Sequence, residues 1–180
     1  MALPQESRGL FEKENIPVNY CGIGKINAAF KATQLILEQK PKHVLNLGTA
    51  GSHKFSAHSL IECRAFVQRD MDVSPLGFPL GQTPVDDIPG IIETPLILKN
   101  LASGVCGTAD VFEIGPPKLE CDLVDMEAYA IAKVCKKLSV PFTAIKYITD
   151  GSDDQAHKDW SANLPPASQK LLEVYRQLVR

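Results

Sequence analysis

The sequence lacks the features that mark disulfide-rich, zinc-binding and membrane-spanning proteins. Its five cysteines are odd in number, widely separated and never spaced as C-x-x-C, which argues against a disulfide framework and against a zinc site. Its longest apolar runs are too short to cross a bilayer, and its start does not show the charged-then-apolar pattern of a signal peptide. We therefore expect a protein of the reducing cytoplasm that does not contact membranes.

The sequence also lacks an excess of positive charge. Its 19 Lys and Arg residues stand against 21 Asp and Glu residues, for a net charge of −2, so the basic surface of a nucleic-acid-binding protein is missing. Hydrophobic residues make up 44% and charged residues 22% of the chain, which is ordinary for a globular protein. Because 180 residues are enough to bury a core, we expect residues 1–180 to form one domain.

What the sequence does contain is an alternation of strand and helix patterns. The predicted helices are KINAAFKATQLILEQK, with Ile26, Ala29, Phe30, Ile36 and Leu37 on its apolar side, DMEAYAIAKVCKKL, with Ala128, Ile131, Ala132 and Cys135 on one face, and PASQKLLEVYRQLVR, which begins at Pro and Ser. The predicted strands include IPVNYCGIGK, PKHVLNLGTAGS, SLIECRAFVQRDMDV, GVCGTADVF and VPFTAIKYITD. This alternation predicts an α/β fold with a mixed, mostly parallel central sheet flanked by helices.

Four loops follow the predicted strands at the sheet edge where ligands of α/β proteins bind. They are GIGK, GTAGS, ADVFE and TDGSDD. The last one contains Asp150, directly after the apolar run FTAIKYIT. A carboxylate there suits acid chemistry because partial burial raises its pKa, although it could equally cap a turn. GIGK lacks the spacing of known phosphate loops and favours a tight turn.

A second acidic feature lies at the head of the helix DMEAYAIAKVCKKL, where Asp125 and Glu127 flank Met126. A carboxylate near a helix N-terminus offsets the helix dipole. The residue pattern alone does not decide between that role and a chemical one for Glu127.

Taken together, several segments resemble the bacterial 5′-methylthioadenosine/S-adenosylhomocysteine nucleosidases, members of the wider purine nucleoside phosphorylase family. The matching segments are CGIGKINAAF, LNLGTAGS, RDMDVSPLGFPLGQTP, ADVF and LVDMEAYAIAKVCKKLSVPFTAIKYITDGSDD. They cover most of the chain. The resemblance implies a nucleoside phosphorylase-like domain that hydrolyses the N-glycosidic bond of adenine thionucleosides and needs no cofactor.

The resemblance also implies roles for individual residues. Asp150 would protonate N7 of adenine, Glu127 would bind the ribose hydroxyls, and Glu6 would activate the water. Asp125 is expected to cap a helix and not to touch the substrate. The implied substrate-binding residues are Met126 under the sugar, Phe112 and Glu113 at the adenine, and Thr49, Ala50, Gly51 and Lys146 around the water.

The loop DVSPLGFPLGQTP carries more apolar residues than a solvated loop needs, and such a patch usually marks an interface. In the resembling enzymes this loop crosses to a second subunit. The resemblance therefore implies a homodimer with Val73, Leu76 and Pro84 near the partner's substrate. The alternative is that the loop folds back onto its own core.

The chain departs from the family pattern at several points. The family opens with a full strand before the Ala-x-x-x-Glu position, whereas Met1 stands almost at the end of that strand, so we expect a fold trimmed at its N-terminus. Lys146 replaces an arginine near the water, and Leu76 replaces an aromatic residue.

Two other functions remain open. Phosphorolysis needs a cationic phosphate pocket, and Asn46 stands where phosphorylases place an arginine. The other alternative is an inactive nucleoside-binding or storage relative, against which the presence of Glu6, Glu127 and Asp150 together argues.

Overall fold

A six-stranded mixed sheet organises the residues that the computed structural model describes, 1–153 and 156–179. Its strands are β1 (Val44–Gly51), β2 (Leu60–Gln68), β3 (Ile91–Glu93), β4 (Ala102–Thr108), β5 (Leu123–Asp125) and β6 (Phe142–Asp150). Their order is β3-β2-β4-β5-β1-β6, and β6 also pairs with β2, so the sheet closes on itself.

The sheet has three parallel and three antiparallel pairings. The parallel pairs β1–β6, β2–β4 and β4–β5 form the longer ladders, and the antiparallel pairs β1–β5, β2–β3 and β2–β6 are short. Parallel ladders require both faces to be covered. All nine positions of β6 are accordingly buried, as its apolar sequence predicts. The expected α/β fold with a mixed sheet is confirmed.

Four helices occur within the described ranges: α1 (Pro4–Ser7), α2 (Lys25–Gln39), α3 (Ala128–Lys137) and α4 (Ala156–Leu178). Short 3₁₀ turns occur at Glu12–Glu14 and Ser74–Leu76. One core, which includes Phe66, Tyr129 and Ile148, lies between the sheet and the pair α2–α3. The other includes Ile145 and Leu171 and lies under α4. No helix within the described ranges is both long and apolar enough to span a membrane.

The two central helices differ in how well the sequence predicts their buried faces. The predicted face of α3 is buried at all four positions, Ala128, Ile131, Ala132 and Cys135. In α2 the predicted apolar side is correct at Ile36, which is buried, but it is wrong at Ile26, Phe30 and Leu37, which are 81%, 72% and 59% exposed. The other buried residues of the helix are Ala28 and Ala32. Small side chains allow α2 to approach α3 closely, which leaves its large apolar residues at the surface.

The N-terminal segment enters through the short helix α1 and not through a strand. The predicted strand IPVNYCGIGK is wrong, since the segment belongs to no strand. It is held to the N-terminus by hydrogen bonds that include those from the Cys21 amide to the Met1 carbonyl and from the Gly22 amide to the Ala2 carbonyl.

The strand β1 pairs with β6 along its whole length, whereas its pairing with β5 is limited to Gly51. A largely apolar cavity of about 290 Å³ is lined by residues of β1 and α2 and by Met1 and Phe11 on either side of α1.

Candidate active site

A second cavity, of about 220 Å³, lies where β1, β5 and β6 end, and all four predicted loops contribute to its wall. GIGK supplies Ile23, GTAGS supplies Thr49–Gly51, ADVFE supplies Val111–Glu113, and TDGSDD supplies Asp150 and Ser152. The strand ends of one sheet edge meet there, as the α/β ligand-site rule predicts. The wall also brings together the nearly buried carboxylates of Glu6, Glu127 and Asp150, with that of Asp125 beside them.

Glu6 is fixed by four hydrogen-bond donors. Its Oε2 accepts from the amides of Ala2 and Leu3 at 2.8 and 3.2 Å, and its Oε1 accepts from the amide and hydroxyl of Thr49 at 2.8 and 3.0 Å. The Thr49 hydroxyl accepts in turn from the indole N–H of Trp160 at 3.1 Å. The carboxylate is thus held in one orientation at the cavity wall.

Asp150 is the last residue of β6 and is 6% exposed. Its Oδ2 accepts from the Thr149 hydroxyl at 2.7 Å, and its Oδ1 accepts from the Ser152 amide at 3.0 Å. Gly51 makes this placement possible, because a Cβ there would lie 2.6 Å from Asp150 Oδ1. The bond to Ser152 is that of a turn cap, and it leaves the carboxylate on the cavity wall.

Glu127 stands between β5 and the first turn of α3 and is 7% exposed. Its Oε1 accepts from the amide of Gly24, in the GIGK turn, at 3.0 Å. Burial, followed by the negative charge of Asp125, raises the pKa of Glu127 to about 7. The carboxylate therefore changes its protonation state near neutral pH.

Asp125 caps α3 as expected, since its Oδ2 accepts from the Ala128 amide at 2.9 Å. The same oxygen lies 2.8 Å from Nζ of Lys146, and Oδ1 accepts from the Thr108 hydroxyl at 2.5 Å. Burial alone would raise the pKa of Asp125, but Lys146 and these hydrogen bonds outweigh it and lower the pKa. For Lys146 burial is the largest single cause and opposes the charged form, yet the acidic groups around it, Asp125 first among them, together outweigh burial and raise its pKa. Both groups are therefore charged at neutral pH.

The remaining wall is formed by the segment Val111–Glu113 and by Arg69. The Arg69 guanidinium is ion-paired with Glu113 and donates to the Val111 carbonyl at 2.7 Å. Val111 and Phe112 are 58% and 49% exposed, so they also form the mouth of the cavity.

The structure brings most of the predicted site residues to this one cavity. Those in its wall are Glu6, Thr49, Ala50, Gly51, Phe112, Glu113, Met126, Glu127 and Asp150. Asp125 is in the wall as well, although its oxygens are engaged elsewhere. Lys146 is not among the described residues that line the cavity, so direct contact with a ligand is not supported. Its place is behind the wall, bonded to Asp125.

The three predicted partner-contacting residues, Val73, Leu76 and Pro84, also lie outside this cavity. Leu76 is 72% exposed, so its side chain does not pack onto the chain's own core. Sequence reasoning missed Arg69 and Trp160, both of which line the cavity. Arg69 stands within the quoted RDMDV segment and Trp160 is the one tryptophan of the chain, but neither position carries a pattern that marks it.

Comparison with known proteins assigns the chain to a family. The model of a family described as the phosphorylase superfamily matches residues 7–180. The chain belongs to the phosphorylase superfamily.

Within this superfamily the chain is similar to several named nucleosidases. It is 30% identical to a 5′-methylthioadenosine/S-adenosylhomocysteine nucleosidase of Haemophilus ducreyi, over 85% of this chain and 75% of the relative. It is 28% identical to the aminodeoxyfutalosine nucleosidase of Helicobacter pylori, over 96% and 83%. Among solved structures, a Helicobacter pylori 5′-methylthioadenosine/S-adenosylhomocysteine nucleosidase with butyl-thio-DADMe-Immucillin-A superposes with a TM-score of 0.83 at 25% identity, covering 96% of this chain and 94% of that one.

Proposed function

We propose that the protein hydrolyses the N-glycosidic bond of adenine nucleosides that carry a 5′-thio substituent, such as 5′-methylthioadenosine and S-adenosylhomocysteine. The observation that carries the proposal is the convergence of Glu6, Glu127 and Asp150 on a single cavity. The similarity to nucleosidases over most of the chain supports the same reaction.

The three carboxyl groups divide the chemistry among them. When the C1′–N9 bond breaks, N9 keeps the bonding electrons and the sugar becomes cationic. Asp150 gives a proton to N7, which neutralises the departing adenine. Glu127 accepts hydrogen bonds from the ribose hydroxyls and so stabilises the positive charge on the sugar. Glu6 takes a proton from the water whose oxygen forms the new bond to C1′, which is the two-carboxylate logic of glycoside hydrolysis.

The surroundings of Glu6 suit the placement of a water. Thr49 and the backbone of Ala50 and Gly51 lie in the same wall. A Cβ on Gly48 would be 3.0 Å from Glu6 Oε1 and 3.4 Å from Lys146 Nζ, so the lysine charge lies close behind the carboxylate. On the other side of the cavity, Phe112 offers a ring for the base and the Glu113 backbone offers polar groups to its edge. Met126 would pack against the sugar.

The cavity suits water better than phosphate as the nucleophile. Of the described residues that line it, Arg69 is the single Lys or Arg, and its guanidinium is already paired with Glu113. Asn46, at the position where phosphorylases carry an arginine, lines the other cavity. A phosphate dianion without a free cationic partner is poorly held, which favours hydrolysis over phosphorolysis.

The same proposal includes a cytoplasmic homodimer. Leu76 in the DVSPLGFPLGQTP loop and Ile26 and Phe30 on α2 are large apolar side chains that are each more than 70% exposed. Ile23 and Phe112, which line the cavity, are also about half exposed. An apolar surface that reaches the mouth of the cavity is the kind of patch that a second subunit covers.

A panel of nucleosides read by base release tests the reaction. We expect adenine from 5′-methylthioadenosine and S-adenosylhomocysteine at a rate that does not depend on added phosphate. A rate that requires phosphate, with ribose 1-phosphate derivatives as products, would establish phosphorolysis. Binding of the nucleosides without any base release would identify an inactive relative.

A further inference from the structure

Arg69 is a buried cation in the wall of the cavity that the proposed reaction does not use. It follows directly after β2 and is 8% exposed. Arginine is almost never buried without partners, so the groups that it binds define what it does.

Its bonds join two separate parts of the cavity wall. Nε donates to the Gly107 carbonyl in β4 at 3.3 Å, and Nη2 donates to the Val111 carbonyl at 2.7 Å. Nη1 is paired with the carboxylate of Glu113. A guanidinium presents its donors in a rigid fork, so one side chain fixes the Val111–Glu113 segment relative to the sheet.

The residues on either side of that segment are anchored by other groups, since the Asp110 amide donates to Asp70 Oδ2 at 2.9 Å and the Gly115 amide donates to the Ser152 carbonyl at 2.8 Å. The segment itself belongs to no helix or strand, and Val111 and Phe112 are 58% and 49% exposed. Packing therefore contributes little to its position. The Arg69 fork is the described contact that ties this segment to the sheet at both Val111 and Glu113.

The ion pair also determines which hydrogen-bonding groups the base meets. A carboxylate accepts hydrogen bonds and cannot donate them. Adenine carries an unprotonated N1, which a free carboxylate would repel, whereas a 6-oxopurine carries an N1–H, which a free carboxylate would bind. Because the Glu113 carboxylate is ion-paired with Arg69, it is not free to repel N1 of adenine or to bind the N1–H of a 6-oxopurine.

We propose that Arg69 is a positioning and specificity-determining residue: by holding the Glu113 carboxylate and the Val111 carbonyl, it fixes the base-side wall and makes the cavity select 6-aminopurines over 6-oxopurines. The proposal rests on the assignment of this wall to the base in the proposed function.

The test measures base preference in variants by two independent readouts. The first is equilibrium binding of free adenine and free hypoxanthine by calorimetry, and the second is base release from adenosine and inosine. In Arg69→Gln we expect adenine to bind about 10-fold more weakly and the hypoxanthine-to-adenine affinity ratio to rise about 10-fold, the size of one hydrogen bond to a charged group. KM for 5′-methylthioadenosine should rise more than kcat falls, because Glu6, Glu127 and Asp150 remain.

Three further variants separate this role from a merely structural one. Arg69→Gln/Glu113→Gln should lose the gain in hypoxanthine binding, since no carboxylate remains. Arg69→Lys should restore part of the adenine preference. Arg64→Gln, a matched loss of a half-exposed arginine on β2, the strand that directly precedes Arg69, should change neither ligand's affinity. If Arg69→Gln does not fold, Glu113→Gln still tests the clamp: adenine should bind several-fold more weakly without a gain for hypoxanthine.

The outcomes distinguish this inference from the proposed function. A wild-type protein that releases no base from any nucleoside contradicts the proposed function, while the affinities for free adenine and hypoxanthine still report on Arg69. An active wild type whose Arg69→Gln variant keeps the wild-type ratio of hypoxanthine to adenine overturns the inference alone. Unchanged adenine affinity in Glu113→Gln overturns it as well.

Discussion

Nζ of Lys146 lies 2.8 Å from Oδ2 of Asp125, and the two side chains are only 2% and 1% exposed. This ion pair stands directly behind Glu127, whose pKa the charge of Asp125 helps to raise. The same ion pair therefore stabilises the buried sheet and influences the protonation of Glu127 in the cavity wall.

Lys146→Met should destabilise the protein strongly, because it leaves the Asp125 carboxylate buried without its cation. Removing one partner of a buried pair typically costs about 3–5 kcal/mol. Urea unfolding, followed through the fluorescence of Trp160, measures the loss. The control is Lys54→Met, which breaks the ion pair of a lysine that is 61% exposed and should cost under about 1 kcal/mol. Equal losses in the two variants would contradict the buried-pair account.

Asp150→Asn should abolish turnover and leave the fold intact. The amide keeps the size of the carboxyl group and can still accept from the Ser152 amide, but it has no proton to give to N7. Loss of a general acid typically lowers the rate by ~10²–10⁴. Adenine release measures the rate, and Asp87→Asn, at a carboxylate that is 82% exposed, is the control. A folded Asp150→Asn protein that keeps more than about a tenth of the rate would exclude the role.

Glu127→Gln should lower kcat by a larger factor than it weakens nucleoside binding. The uncharged amide can still accept from the Gly24 amide, but it no longer stabilises the cationic sugar, and that charge develops only in the transition state. Single-turnover rates and nucleoside affinities measured on the same protein separate the two effects. Equal losses would indicate a ground-state contact with the ribose.

The raised pKa of Glu127 also predicts how stability depends on pH. In the unfolded chain this group ionises near 4.5, whereas burial and Asp125 hold its pKa at about 7 in the folded protein. Between these values the folded protein binds the extra proton, so this group's contribution is complete below about pH 4.5 and is lost as pH rises through 7. The total loss is roughly 3 kcal/mol.

Glu127→Gln removes this titration, which gives the measurement. The stability of the variant relative to wild type should increase by roughly 3 kcal/mol from pH 4.5 to pH 8, as read from urea unfolding at each pH. A constant difference across this range would mean that Glu127 ionises at its ordinary pKa.

The sequence predicted best where one physical cause dominates. The strand β6 is mostly apolar and is buried at all nine positions, since both of its faces are covered, and its end places Asp150 at the sheet edge. The predicted face of α3 is buried because its apolar positions repeat with the helical period. All four predicted loops reach one cavity. GTAGS and TDGSDD do so because they follow β1 and β6, whose ends lie at one edge of the sheet, whereas GIGK reaches it from the start of α2 without a strand before it.

Prediction failed where contacts distant in sequence outweigh local pattern. Proline normally stops a helix, yet α4 begins at Ala156 and runs through Pro165 and Pro166, so the C-terminal helix starts well before the predicted point. The short strand β5 is not predicted, because it forms by pairing with strands distant in sequence, and its last residue, Asp125, falls in the predicted helix.

In the candidate site, too, features that follow from local sequence are predicted and features that depend on distant contacts are not. Carboxylates in loops can be identified from the sequence, whereas the role of a cavity residue such as Arg69 depends on residues that only the fold brings next to it. Glu113 is 44 residues away from Arg69, and without a fold no pattern joins them. The exposure of Ile26, Phe30 and Leu37 on α2 has a similar cause, since it depends on how closely α3 packs against the helix.

Leu76→Asp should split the proposed homodimer and weaken binding of 5′-methylthioadenosine more than that of adenosine. Leu76 is 72% exposed, so a charge there does not disturb the chain's own core, whereas it would be buried against a second subunit. Light scattering measures the association state, and KM for the two nucleosides measures the effect at the 5′ end. Val179→Asp, at another apolar side chain that is 61% exposed, should change neither. Phe30→Asp on α2 should also weaken association, but it should not raise KM for 5′-methylthioadenosine more than KM for adenosine. A wild-type protein that is monomeric at micromolar concentration and fully active would exclude a site shared between subunits.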